Sequence, residues 1–527
     1  MSFNDDEQIV STENPAAGDL ADEFKGGNAK RRIMNAPTAP LKECNFRVLL
    51  ELTGQANLNH RAGLDLVTVL DVSGSMLGDR IDKLKKAMEF VVKKLSPVDR
   101  LSVVTFSLVA NRLCPLRQMN ESSKVDVIKL INKIAADGAT NITDGLQMGL
   151  KVLNDRQFKD GRSVGIMLMS DGEQNTGGDA ALVQVSGVPV YTFGFGTGSQ
   201  DPEKMANLLT AIAKNSGEGT YSDVQKTDDL GLAFASCLGG LLTVAVEDLR
   251  LTFSPESNSI VQSVSAGDYP QSRDKENDVL SPITVKFGTL YDKETRKVIV
   301  DLALPKVTED ISLQVLRVTY KYRNASGREL RYPPLSARVK RTADFKDDED
   351  GEEDEVVVEG TRVETAKMMK DARELADNKK MDDAKKVLDN AQNMLDNVQV
   401  DDTRLLEMLK REVGQLLEYL QKPDLYIKHG RSFALSSELS HDRQRFAARG
   451  DIEKLRLFST PRMDAYQEQA KTFIKDPTKP VPTVEEDEKK EIAADPLGPI
   501  KGPLGFLLEQ IFVAVKAIES LVTSGGR

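Results

Sequence analysis

The sequence predicts a multidomain α/β + β + α protein: a doubly wound parallel-sheet domain, an antiparallel β-domain and a helical C-terminal region. Three observations carry this. Between residues 62 and 243, apolar strand-like runs alternate with helical patterns, which implies a sheet covered on both faces. From Thr243 to about Arg341 the helical periodicity gives way to short β-rich runs such as KVIVDLAL and ISLQVLRVTYKYR. Beyond Val363, small and apolar residues recur at three- and four-residue spacing. At 527 residues the chain has room for several domains, each with its own core.

In chain order, residues 1–43 are polar and read as a disordered tail, with Lys30-Arg31-Arg32 solvated. Residues 44–61 hold the alternating run Asn45–Gly54, a strand expected to pair with the β-domain, the α/β unit being inserted between them. Within 62–243, strands are expected at Leu64–Leu70, Asp99–Phe106, Ser163–Met169 and Val188–Phe195. Helices are expected at Arg80–Leu95, Val125–Ala136, Thr143–Leu153, Lys204–Lys214 and Asp228–Leu242. Residues 244–343 make the β-domain. Residues 344–360 carry the acidic run KDDEDGEEDE, a solvated loop whose consecutive acids lack the spaced ligands of a calcium loop. Residues 361–421 read as a helical hairpin, broken at Asn378–Met381, followed by a further helix. Residues 422–475 are irregular or helical, and the Pro- and Glu-rich 476–502 is a linker. Residues 503–523 form an amphipathic helix. Glu509, Lys516 and Glu519 exclude a membrane span there, and docking on the body or a partner is expected because the polar face is not basic.

Composition narrows the function. A net charge of −11 with no basic stripe argues against nucleic acid as the main partner. Three well-separated cysteines (Cys44, Cys114, Cys237) and three histidines leave no zinc cluster and no disulfide framework, which fits a reducing, cytoplasmic setting. The N-terminus has no signal-peptide core, and no apolar run is long enough to span a membrane. No phosphate-binding G-x-x-x-x-G-K-[ST] and no G-x-S-x-G occur, so no catalytic residues are expected and the chain reads as a non-enzyme. Arg449-Gly450-Asp451 reads as a chance tripeptide, and His60 and Asp99 as surface or capping groups.

The candidate site begins at LDLVTVLDVSGSM. A buried strand ends at Asp71, with Ser73 and Ser75 on the turn beyond it, where open α/β sheets bind ligands. Thr140, in DGATNITDGL, and Asp171, in MSDGEQN, lie in matching loop contexts. Asp71-x-Ser73-x-Ser75 alone would often be a turn or a helix cap, since Ser and Asp favour those positions. Together they offer three neutral hydroxyls and two carboxylates, an oxygen-only set suited to a hard cation. Mg²⁺ is expected, with Mn²⁺ or Ca²⁺ as alternatives. A coordination position left open would accept an Asp or Glu from a protein partner.

At these residues the chain resembles the von Willebrand factor A (VWA) domain over about residues 62–243, with its metal-ion-dependent adhesion (MIDAS) motif. The resemblance implies that Ser73, Ser75 and Thr140 are direct or near ligands, and that Asp71 and Asp171 act directly or through water. FNDDE near the start, the β-domain, the helical hairpin and RSFALSSELSHDRQRFAARGD are similar to plant A-domain proteins, many of which carry a RING domain and resemble ubiquitin ligases. This chain lacks the RING Cys/His cluster. The resemblance therefore suggests a substrate-recognition or accessory part in ubiquitin ligation, with a RING-bearing relative as partner. The β and helical regions also resemble those of inter-α-trypsin-inhibitor heavy chains. A structural scaffold with an unused metal site is the third expectation.

Overall fold

The computed structural model describes residues 28–494 apart from 57–60, 173, 186, 196–201, 277, 324–328 and 347–351. The expected helix at 503–523, FNDDE and His60 lie outside the described residues. The chain enters through β1 (Asn28–Met34), β2 (Thr38–Pro40) and β3 (Cys44–Gln55). The sequence places residues 28–40 in a disordered tail, and the structure corrects this. β1 lies antiparallel on β3, and β2 extends a second sheet. The basic patch is held as well: the Arg31 guanidinium stacks 4.3 Å from the Tyr320 ring centroid and donates to the Pro333 carbonyl.

Next comes the α/β unit. Its elements are β4 (Gly63–Asp71), α1 (Asp79–Lys94), β5 (Arg100–Phe106), β6 (Ala110–Arg112), β7 (Arg117–Gln118), α2 (Glu121–Asn132) and α3 (Ile142–Asn154). They continue with β8 (Arg162–Ser170), β9 (Val190–Phe195), α4 (Pro202–Asn215), β10 (Tyr221–Val224) and α5 (Leu230–Leu241). The sheet order is β10-β9-β8-β4-β5-β6, parallel from β10 to β5, with β6 and β7 antiparallel to β5. The apolar run at Leu64 becomes its central strand, buried along its whole length. α2 starts earlier than its apolar pattern shows because Asn120 caps it, accepting from the Ser123 amide. Asp99, read as a surface or capping group, is fully buried. It caps the Ser96 and Leu64 amides and takes a bidentate ion pair from Arg61 at 2.7 Å.

The β-domain is a sandwich. Its strands are β11 (Val244–Pro255), β12 (Ile260–Ser265), β13 (Gln271–Arg273), β14 (Ile283–Tyr291), β15 (Thr295–Leu304), β16 (Ile311–Arg323), β17 (Glu329–Arg331) and β18 (Leu335–Thr342). One sheet runs β1-β3-β15-β12 and the other β13-β14-β11-β16-β18-β2. Alternating residues such as Val48, Leu50, Leu251, Phe253, Val300 and Leu302 fill the core between them. β3 pairs with β15 from Cys44↔Leu304 to Thr53↔Thr295, so the α/β unit is inserted into the sandwich. Both ends of the insertion are held by one turn. The Asp292 amide donates to the Thr243 carbonyl, and the Asp292 carboxylate accepts from the Ala56 amide.

The C-terminal part contains α6 (Asp354–Asp377), α7 (Met381–Asn397), α8 (Arg404–Tyr419), the one-turn α9 (Pro423–Leu425), α10 (Arg431–Arg443), α11 (Pro461–Lys475) and α12 (Val484–Ala494). Three readings are corrected here. Residues 344–360 are not an acidic loop throughout, since α6 begins at Asp354, with Asp354 and Glu355 in its first turn. Residues 476–502 are not simply a linker, since α12 docks through an ion pair from Asp487 to the buried Lys94 of α1. The first part of RSFALSSELSHDRQRFAARGD, Arg431–Arg443, is a buried helix rather than irregular, while residues 444–451 are not helical. Arg449 is fully buried and donates to Glu412 at 2.6 Å, which removes the tripeptide from any adhesion role. Burial pushes the Glu412 carboxyl up, but the Arg449 guanidinium and His441 outweigh it and hold the group far below the usual carboxylate range.

The last helix of the insertion, α5, is wrapped by this region. A Cβ on Gly239 would stand 3.0 Å from the Met463 Cα, so α11 approaches backbone to backbone. Phe446, Met463, Tyr466 and Phe473 belong to the same apolar core as α1 and α5. An excised fragment of residues 62–243 is therefore expected to aggregate, because it would present those faces to water. Size-exclusion chromatography beside the full chain checks this, and a soluble monomeric fragment would refute it.

A candidate metal centre at the sheet's C-terminal edge

The strand order turns over at β4: the chain adds β5 on one side of it and later β8 on the other. Loops leaving the carboxyl ends of these strands therefore open a crevice. Three loops meet there through their main chains. The Gly74 amide donates to the Gly138 carbonyl (3.0 Å), Asp137 to Val72 (2.8 Å), Asn141 to Ser107 (2.9 Å) and Asn175 to Thr140 (3.0 Å). Gly138 adopts φ +83°, a conformation that a side chain would strain.

Four of the five sequence candidates form one hydrogen-bonded chain. The Ser73 amide donates to Asp71 Oδ1 at 2.8 Å, Ser73 and Ser75 hydroxyls lie 3.0 Å apart, and Ser75 donates to Asp171 Oδ1 at 2.7 Å. Thr140 joins through its main chain, its amide donating to Asn175 Oδ1 at 2.9 Å. Asp71, Ser73, Thr140 and Asp171 are buried, while Ser75 stands at the mouth.

Three further residues belong to the site. Ser170 donates to Asp71 Oδ2 at 2.5 Å, Arg80 on the first turn of α1 ion-pairs with Asp171 Oδ2, and Asn175 ties the second and third loops. Ser170 sits immediately before Asp171 and Arg80 nine residues after Asp71, spacings that carry no sequence signal by themselves.

Two buried carboxylates facing one another are electrostatically costly. Burial first, then the Asp171 charge, push the Asp71 carboxyl up to about 6, against the lowering from its hydrogen bonds to Ser170 and Ser73. A divalent cation would relieve that cost. Among the described residues no group of three or more His, Cys, Asp or Glu side chains is placed to hold a metal. A cation in the crevice would rely on two carboxylates and neutral oxygens, a donor set that fits Mg²⁺.

This fold and loop cluster define the class. A family model for the von Willebrand factor type A domain matches residues 65–235, and that part of the chain is such a domain. A second model, described as VWA / Hh protein intein-like, matches residues 403–472. Over 276 residues the chain is 30% identical to the E3 ubiquitin-protein ligase WAV3 of Arabidopsis thaliana, covering 52% of this chain and 35% of that protein. It is 26% identical to the E3 ubiquitin-protein ligase WAVH1 of the same plant, covering 52% and 37%. It is also 28% identical to the inter alpha-trypsin inhibitor, heavy chain 4, of Mus musculus, covering 31% and 19%. The chain thus spans about a third of the length of the plant relatives it matches. The solved von Willebrand factor type A protein from Catenulispora acidiphila superposes with a TM-score of 0.60 at 14% identity, covering 80% of this chain and 98% of that one, and shows the fold. The reading of the chain as a non-enzyme is corrected by these relatives, since WAV3 and WAVH1 are named as ubiquitin-protein ligases, a class of enzyme. Among the described residues no helix is long and apolar enough to cross a membrane.

Proposed function

We propose that this chain is a cytoplasmic protein that captures a partner by its acidic side chain, through a Mg²⁺ held by Asp71, Ser73, Ser75, Thr140 and Asp171. The observation that carries the reading is the pair of buried, mutually repelling carboxylates joined through two serine hydroxyls at the open end of the sheet. The metal would supply a positive acceptor for a carboxylate. The protein's part is to hold the oxygens in place and keep the mouth open at Ser75. In isothermal titration, Mg²⁺ is expected to bind the parent chain, and Asp71→Ala to weaken that binding by about a hundredfold or more, since one of two charged ligands is lost. Equal affinity in both proteins would refute the metal site and leave a scaffold with no use for it.

The relatives' names favour a second reading at a different level: the captured partner is a target in a ubiquitin-ligation system. Ubiquitin transfer to captured proteins would be measured with activating and conjugating enzymes, with and without a RING-bearing relative. Transfer by the chain alone would make it a ligase in its own right. Transfer only with the relative would make it the recognition part, and no transfer in either mixture would sink this reading.

A further inference from the structure

Among the described residues, the four most exposed large apolar side chains are Leu182 (73%), Leu77 (70%), Leu108 (57%) and Val109 (57%). Three of the four stand on the loops around the metal crevice. Leu77 directly follows Met76 in the first loop, its amide donating to the Gly74 carbonyl. Leu108 and Val109 form the β5–β6 turn. That turn is fixed to the second loop, because Asn141 donates from its amide to the Ser107 carbonyl and from its side chain to the Leu108 carbonyl. Leu182 lies further along, in a groove beside α3 whose upper end is Thr143 and Gly178, next to the third loop. A mostly exposed apolar side chain in a hydrogen-bonded turn is an unused contact. Single exposed apolar residues are ordinary, but a cluster around one opening marks an interaction surface.

We infer that Leu77, Leu108 and Val109 form an apolar collar that selects, as partner, an extended segment carrying an acidic residue flanked by aliphatic or aromatic side chains. This rests on the metal reading above. The occupant's charge follows from complementarity: a cation over Asp71 and Asp171, with the Arg80 guanidinium beside Asp171, makes the centre of the opening attractive to a carboxylate. The occupant's flanks follow from the collar. A segment of acids alone would satisfy the metal but leave three leucine- or valine-sized surfaces in water. Affinity would therefore come from the combination, with the charge fixing the register and the apolar flanks supplying binding free energy.

The test uses the full chain immobilised in Mg²⁺ and a display library of random linear peptides, eluted with EDTA. The expected enriched peptides carry Asp or Glu with Leu, Ile, Val or Phe within two residues. A synthetic peptide of that pattern is expected to bind Leu77→Ser/Leu108→Ser/Val109→Ser at least about tenfold more weakly than the parent, about 1.4 kcal/mol. Mg²⁺ affinity and melting temperature should be unchanged, because these side chains are mostly exposed and lie outside the apolar cores. Enrichment of acidic peptides with polar flanks, or equal binding by the triple variant, overturns the collar and leaves the metal reading intact. Absence of any EDTA-released peptide, together with absence of Mg²⁺ binding by titration, overturns both. A Mg²⁺-dependent dimer of the parent, dispersed by EDTA and absent in the triple variant, would identify a second copy as the occupant and overturn the inferred partner.

Discussion

In EDTA at pH 7.5, Asp71→Asn is expected to be more stable than the parent chain, by as much as about 3 kcal/mol, and to gain nothing from Mg²⁺. Proton linkage sets the sign. The folded-state pKa of Asp71 is raised, to about 6 from an ordinary value of 3.8, so the folded chain holds the proton more tightly than the unfolded one. Metal-free stability is then greatest in acid and falls as pH rises from about 4 through about 6, losing about 1.4 kcal/mol for each pH unit between those values. The asparagine removes the charge and keeps the geometry: its oxygen still accepts from the Ser73 amide, and the Ser170 hydroxyl turns to accept instead of donate. Mg²⁺ reverses the balance in the parent by compensating both carboxylates, so its stabilising effect should grow between pH 5 and pH 7.5. Urea midpoints at the two pH values, with EDTA or Mg²⁺, read all of this. A variant less stable than the parent in EDTA would show that the Asp71 charge is already well compensated without metal.

Arg445→Met is expected to cost about 3–5 kcal/mol, because it takes two short hydrogen bonds from a fully buried carboxylate and leaves it only Arg296, at 3.4 Å, as a cationic partner. Arg445 donates to both oxygens of Glu294, at 2.7 and 3.0 Å, and to the Thr289 carbonyl at 3.1 Å, while its guanidinium covers the Tyr291 ring at 3.9 Å. It thereby ties the segment after α10 to the β14–β15 turn. Burial pushes the Glu294 carboxyl up, but Arg445 and Arg296 hold it below the ordinary range, so it stays ionised and needs its partner. Adding Glu294→Gln to Arg445→Met should recover only part of the loss, since the carboxylate charge is gone but the buried Arg296 loses the charged oxygen 3.4 Å from it. Chemical denaturation of both single variants and the double variant decides this. A double variant as unstable as the sum of the singles would mean that packing, and not charge, sets the cost.

The α/β unit is legible in the sequence because its strands are buried on both faces and its helices keep one apolar stripe. LDLVTVLD announces a central strand, and the turn residues after it announce the crevice. The helical C-terminal segment is less legible for a physical reason. α10 buries Ser432, Ser436, Ser440 and His441 alongside Phe433 and Leu439, and these polar groups are hydrogen-bonded to Tyr221, Arg445 and Glu412. Apolar periodicity cannot register such a helix. β1 escapes for a related reason. It is an edge strand whose Arg31 lies over Tyr320 and Tyr332, so a residue that looks solvated is a packing element. At the site, the residue types of all five candidates could be read, but the contribution of Arg80 could not, because only the folded loops bring it to Asp171.

The turn at Tyr291–Glu294 grips both ends of the inserted domain at the edge of its sheet opposite the crevice, where β4 begins and α5 finishes. A head fastened at two points on its base, with α11 braced along its side, cannot swivel on a tether. The crevice therefore has a fixed aim. Whatever it holds is presented at one bearing and one stand-off, about the length of the nine-residue β4, roughly 30 Å from the sandwich. On the proposed reading the chain would be a positioning arm as much as a hook: the part of a captured protein that faces back along the body would be set by the geometry of the arm, not by diffusion of a loose domain.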